Sequence, residues 1–127
     1  MTREELINNL KKYNFDNNKY LVISGGAMVL LGIKDHTSDI DIAVTPDYYN
    51  YLINNYNCIF DRINEFNNKC YIIDNIINFG IDYYSEKKNI IDDIPVQTKE
   101  DLIKLKEFLN REKDKADIKK IKEFYNE

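Results

Sequence analysis

Residues 39–44, Asp-Ile-Asp-Ile-Ala-Val, alternate acid and aliphatic with period two, and this constrains the chain more than any other stretch. Period two is the signature of a strand with one apolar and one polar face. Asp39 and Asp41 then project from the same face, about 6.5 Å apart along it. Two carboxylates so placed repel one another and lose hydration. A divalent cation between them removes the conflict, and Mg²⁺ characteristically takes one or two carboxylates together with phosphate oxygens. The plain alternative is a solvated acidic face.

A second feature precedes it. Tyr20-Leu21-Val22-Ile23 reads as a short buried strand that ends at Ser24-Gly25-Gly26. Ala27 to Leu31 then predicts a helix, with Gly32 as its stop. A glycine pair at a strand-to-helix turn lets backbone N–H groups approach an anion, although an ordinary tight turn has the same composition. The common phosphate-loop patterns are absent: no GxGxxG occurs, and no Gly-Lys-Ser/Thr follows the glycines. An EF-hand is excluded because Asp39-x-Asp41 has neither the third ligand nor the loop glycine.

The flanking elements follow from caps and periodicity. Thr2-Arg3-Glu4-Glu5 is a capping box ahead of Leu6, Ile7, Leu10 and Tyr13. Thr45-Pro46 opens a helix through about Asn55. Cys58–Ile63 and Lys69–Ile73 predict strands joined by a polar turn. Ile76 to Tyr84 predicts another, interrupted near Gly80 and carrying Asp82. Pro95 reads as a connection. Thr98 caps a helix with Leu102, Leu105 and Leu109 inward, and a last helix runs from about Lys113 to Tyr125. The expected fold class is α/β (α+β): a mixed β-sheet flanked by helices, antiparallel after Asn57, with a C-terminal helical pair.

At 127 residues the chain has room for one domain, 1–127. The net charge of −4 is the wrong sign for gripping a nucleic acid over the whole surface. Residues 99–127 carry nine Lys/Arg against eight acids, so the negative excess falls on residues 1–98, where the candidate carboxylates lie. Cys58 and Cys70 have no CxxC spacing and read as a reduced pair. Neither a signal peptide nor an apolar run of membrane-spanning length is apparent, so a cytoplasmic protein is expected.

Ser24-Gly25-Gly26, the twelve residues between Gly26 and Asp39, and Thr37-Ser38-Asp39-Ile40-Asp41-Ile42 together resemble the signature of the nucleotidyltransferase superfamily, which has a DNA-polymerase-β-like fold. Ile81-Asp82-Tyr83 is the natural candidate for the third acid of that signature, with Asp74 competing. The stretch Arg111-Glu112-Lys113-Asp114-Lys115-Ala116-Asp117 is similar to the Arg-x-Lys-Asp-x-x-Asp segment of small bacterial members, among them abortive-infection nucleotidyltransferase toxins.

The resemblance implies roles residue by residue. Ser24, Gly25 and Gly26 would support the triphosphate, and Asp39, Asp41 and Asp82 would be catalytic metal ligands, holding two Mg²⁺ ions. Lys113 would meet a phosphate, positioned by Asp117 one turn away, although a solvated helix face explains both. The implied reaction moves a nucleoside monophosphate from a nucleoside triphosphate, ATP foremost, to a hydroxyl of RNA or protein, releasing pyrophosphate. An antitoxin or a second copy is a further implied partner. Alternatives are a catalytically silent nucleotide-binding or partner-binding module of the same fold, or adenylylation of a small antibiotic. One departure stands out: Lys34-Asp35-His36 occupies the neighbourhood where the family often has Arg. His36 reads as a surface residue. Tyr48, Tyr49, Tyr51, Tyr83 and Tyr84 could stack a base, but such spacing is more usual for core tyrosines.

Overall fold

The computed structural model describes residues 1–127 as a mixed seven-stranded sheet with five helices. The helices are α1 (Arg3–Lys11), α2 (Ser24–Leu30), α3 (Pro46–Asn55), α4 (Lys99–Leu109) and α5 (Glu112–Phe124). The strands are β1 (Tyr20–Ile23), β2 (Ile40–Val44), β3 (Cys58–Ile63), β4 (Lys69–Ile73), β5 (Ile77–Gly80), β6 (Asn89–Ile91) and β7 (Ile94–Val96). Their spatial order is β3-β4-β5-β2-β1-β7-β6. β2 runs parallel to β5 and β1 parallel to β7, while the other neighbours are antiparallel.

Local chemistry explains most boundaries. In α1, Thr2 and Glu5 exchange the two hydrogen bonds of a capping box. Thr45 caps α3 by accepting from the Tyr48 N–H, with Pro46 at the first helical position. α2 ends in a Schellman motif: Gly32 adopts φ +86°, its N–H reaches the Val29 carbonyl, and the Ile33 N–H reaches that of Met28. Gly32 is therefore the helix stop that its position predicts.

The main core lies on one face of the sheet. Leu6, Leu10, Ala27, Val29, Leu30, Tyr48 and Leu52 from α1, α2 and α3 meet Val22, Ile40, Ile42, Val44, Ile73, Ile77 and Phe79 from the strands. A smaller cluster of Met28, Leu102 and Ile121 fastens α4 and α5 to α2. On the opposite sheet face Leu21, Ile23 and Ala43 pack beneath Tyr83 and Tyr84. The rest of that face is mixed: Asp41 of β2, Asn78 of β5 and Arg62 of β3 share it with Cys70 and Ile72 of β4.

Two expectations are corrected. The run from Ile76 to Tyr84 is not one strand: β5 stops at Gly80, where its pairing with β2 ends at Ala43, and Asp82 stands in the following turn. Pro95 is not in a connection but inside β7, opposite Ile90 of β6. The β6–β7 turn is made by Asp92 and Asp93, at φ 51° and 65°, an unusual use of two aspartates where both central residues must be left-handed.

Candidate active site

The alternation of β2 separates its two faces. Ile40, Ile42 and Val44 are buried in the main core, while Asp41 and Ala43 face the other side. Asp39 stands just before the strand and is exposed. Its Oδ2 accepts from Asn78 Nδ2 at 3.2 Å and its Oδ1 from the Ser38 hydroxyl at 3.5 Å. The Asp39 carbonyl accepts from Thr37 Oγ1 at 3.2 Å.

Asp41 is mostly buried, and no side chain or backbone group donates a hydrogen bond to its carboxylate. Burial, and then the neighbouring Asp39 charge, push its pKa from 3.8 up to about 6. Arg62 and Lys106 act in the opposite sense without reversing the shift. The charged form of Asp41 is thus held at a cost that a nearby cation would remove.

The antiparallel register of β1 and β2 sets Ile23 beside Asp41, which brings Ser24 to the same end of the sheet. Ser24 adopts φ +58°, and its N–H donates to Oε1 of the buried Gln97 at 3.1 Å. Ser24, Asp39, Asp41, Asp82 and Lys113 all line one cleft of about 500 Å³, between this sheet face and the α4–α5 corner. Arg62, Asn78 and Arg111 line it as well.

Gly25 and Gly26 do not line the cleft, and packing explains both. A Cβ on Gly25 would stand 2.8 Å from Thr37 Oγ1, and one on Gly26 would stand 3.0 Å from Val22 Cγ1 in the core. The glycine pair lets α2 lie against the Asp39 loop and β1.

Asp82 shares the cleft but not the immediate surroundings of the aspartate pair. The residue opposite Asp41 on β5 is Asn78, and Asp82 lies four residues further along the chain. Its carboxylate accepts from Asn64 Nδ2 at 2.5 Å and from Asn68 Nδ2 at 3.1 and 3.2 Å, which ties it to the β3–β4 turn. Asp74 is remote from this role, because it sits in the β4–β5 turn and accepts from the Tyr13 hydroxyl at 2.6 Å. No set of three or more His, Cys, Asp or Glu side chains is gathered into a ready metal cage.

The C-terminal motif is chiefly a network of charges. Asp114 is fully buried and takes a two-pronged contact from Arg111, at 2.6 Å to Nε and 3.1 Å to Nη2. Burial pushes its pKa up, but the Arg111 bonds outweigh this and hold it below the usual range. Asp117 does not position Lys113, contrary to the i,i+4 expectation. It pairs instead with Lys106 and with Lys34, each at 2.9 Å. Lys34 thereby has a structural partner, and Lys113 reaches the cleft without an ion pair of its own. His36 is exposed.

Of the tyrosines considered for base stacking, Tyr83 lines the cleft. It meets Phe66 edge-on, and Phe66 stacks on Phe108 with ring centroids 5.5 Å apart, so the β3–β4 turn is roofed onto α4. Tyr48 is buried, Tyr49 donates to the Lys69 carbonyl, and Tyr84 donates to that of Asn18.

These donors suit a hard divalent cation: carboxylate and carboxamide oxygens on one face, one carboxylate mostly buried and without a donor, and cationic side chains set back around the rim. Asp39 and Asp41 are legible from the local alternation, whereas Asn78 becomes visible only through the β2–β5 register. Arg62 likewise depends on the bulge in β3 that follows Phe60. The chain matches no protein-family model, no curated protein and no solved structure.

Proposed function

We propose that this chain is a Mg²⁺-dependent nucleotidyltransferase with the DNA-polymerase-β-like fold, transferring a nucleoside monophosphate from a nucleoside triphosphate, ATP foremost, to a hydroxyl of RNA or protein. The observation that carries the reading is the pair of carboxylates, Asp39 just before β2 and Asp41 on it, that line one cleft, with the Asp41 carboxylate mostly buried and without a donor. A bound Mg²⁺ would polarise the phosphate oxygens and neutralise charge that develops during displacement.

The chain's own residues supply the remainder. Asp39 and Asp41 hold the cation, and Asn78 orients Asp39 through its amide. Lys113, Arg62 and Arg111 offer positive charge to the triphosphate along the cleft wall. The acceptor hydroxyl oxygen bonds to the α-phosphorus as the bond to pyrophosphate breaks, and the hydroxyl proton is released to solvent.

One observation favours a second reading, a silent nucleotide-binding module: the position beside the aspartate pair is an amide, and no three-carboxylate cluster forms. Equilibrium binding of ATP with and without Mg²⁺, on wild type and on Asp39→Asn/Asp41→Asn, tests the shared premise. Mg²⁺-dependent binding that the double variant abolishes supports the site. Binding that ignores both Mg²⁺ and the aspartates removes it, and turnover on an acceptor then separates enzyme from module.

A further inference from the structure

We propose that the cation site is completed by the Asn78 carboxamide rather than by the Asp82 carboxylate, so that the free protein holds a divalent cation weakly and acquires it together with the triphosphate. This rests on the nucleotide reading above and assigns its third ligand and its order of loading.

Register carries the assignment. β2 and β5 are parallel, with Asp41 directly opposite Asn78, and paired strands lie about 4.8 Å apart with opposed side chains on one face. Asn78 Nδ2 already reaches Asp39 Oδ2 at 3.2 Å, so the amide touches one aspartate and neighbours the other. With its nitrogen engaged, its Oδ1 remains an acceptor of the kind Mg²⁺ takes.

Asp82 fails the same test twice. β5 ends two residues after Asn78, and Asp82 stands in the turn beyond it, outside the β2–β5 pairing that sets Asn78 against Asp41. Its oxygens are also occupied by the Asn64 and Asn68 amides. Asp82 is the anchor of the β3–β4 turn.

The charge follows. Two carboxylates and a neutral amide present less negative charge than three carboxylates, and Arg62 and Lys106 are near enough to Asp41 to offset part of it. Asp61, the other acid near Asp41, lies beside Arg62, with Nε 3.6 Å from Oδ2. A cation entering with a triphosphate brings the missing negative oxygens with it.

The test is Mn²⁺ binding followed by the paramagnetic resonance signal of free Mn²⁺, with and without a non-hydrolysable ATP analogue. The proteins are wild type, Asn78→Asp, Asn78→Ala, Asp82→Asn and Asp39→Asn/Asp41→Asn. Wild type should bind Mn²⁺ at least about tenfold more tightly with the analogue than without it. Asn78→Asp should raise analogue-free affinity at least about tenfold, and Asp82→Asn should leave it within about twofold of wild type. Asn78→Ala should weaken the analogue-dependent binding, which keeps the test decisive if Asn78→Asp folds poorly. Loss of Mn²⁺ binding in Asp82→Asn, or no effect of either Asn78 substitution, overturns the assignment while the functional reading stands. Mn²⁺ and analogue binding unaffected in Asp39→Asn/Asp41→Asn, or absent from every protein, overturns both.

Discussion

Lys106 and Asp117 meet at 2.9 Å, the lysine almost wholly buried, and Asp117 holds Lys34 at the same distance on its other side. This joins α4 and α5 to the segment after α2, so the wall of the cleft is tied to the end of the helix that follows Ser24. Removing one partner of a buried pair leaves an uncompensated charge, at a cost of about 3–5 kcal/mol. Lys106→Met should fall near the low end of that range, because Asp114 keeps Arg111 and Asp117 keeps Lys34. Denaturant unfolding measures it, and a loss under about 1 kcal/mol would mean that the network is not held as described.

Asp41 should be a stability liability at neutral pH. Its folded pKa, about 6, lies above its unfolded value near 3.8. The folded state therefore binds more protons between these values, and the contribution of Asp41 to stability declines as pH rises through 6. Asp41→Asn should stabilise the metal-free protein at pH 7.5 by about 1–3 kcal/mol and flatten its stability profile between pH 4 and 6. Thermal unfolding across that range checks both. The same ionisation should weaken Mg²⁺ binding as pH falls below 6.

The β3–β4 turn should open locally when its anchor is lost. Hydrogen bonds to a carboxylate contribute about 1.5–3 kcal/mol each, so Asp82→Asn should speed amide exchange at residues 64–68 by more than about tenfold. Exchange in β1 and β2 should be unchanged. Phe66→Ala should loosen the same residues by removing the stack on Phe108.

The glycine pair in the first turn of α2 separates packing from chemistry. Gly26→Ala places a Cβ 3.0 Å from Val22 and 3.5 Å from Leu6 in the core, and should cost about 1–3 kcal/mol. Gly25→Ala displaces Thr37, whose hydroxyl holds the Asp39 carbonyl, so it should reduce Mg²⁺-dependent ATP binding more than it reduces stability. Calorimetric binding and unfolding measured on both variants distinguish the two effects.

Short-range chemistry was legible before the structure: the Thr2–Glu5 box, the Thr45-Pro46 helix start, the Gly32 stop, the strands over 58–63 and 69–73, and the facing of Asp39 and Asp41. What escaped depended on partners distant in the chain. The β2–β5 register sets Asn78 against Asp41, and β5 ends at Gly80, which leaves Asp82 off the sheet. The β6–β7 hairpin was hidden by strands of only three residues and a turn of two aspartates in place of the usual Asn-Gly. Lys113 and Asp117 have helical spacing for a pair, but tertiary contacts gave Asp117 to Lys106 and Lys34.

The most direct measurement is transfer of label from the four α-³²P nucleoside triphosphates in the presence of Mg²⁺, with the protein itself, total tRNA and a cell lysate as acceptors. Wild type should label an RNA or a protein, and Asp39→Ala/Asp41→Ala should label nothing. No label on any acceptor, together with no Mg²⁺-dependent nucleotide binding, would contradict the account.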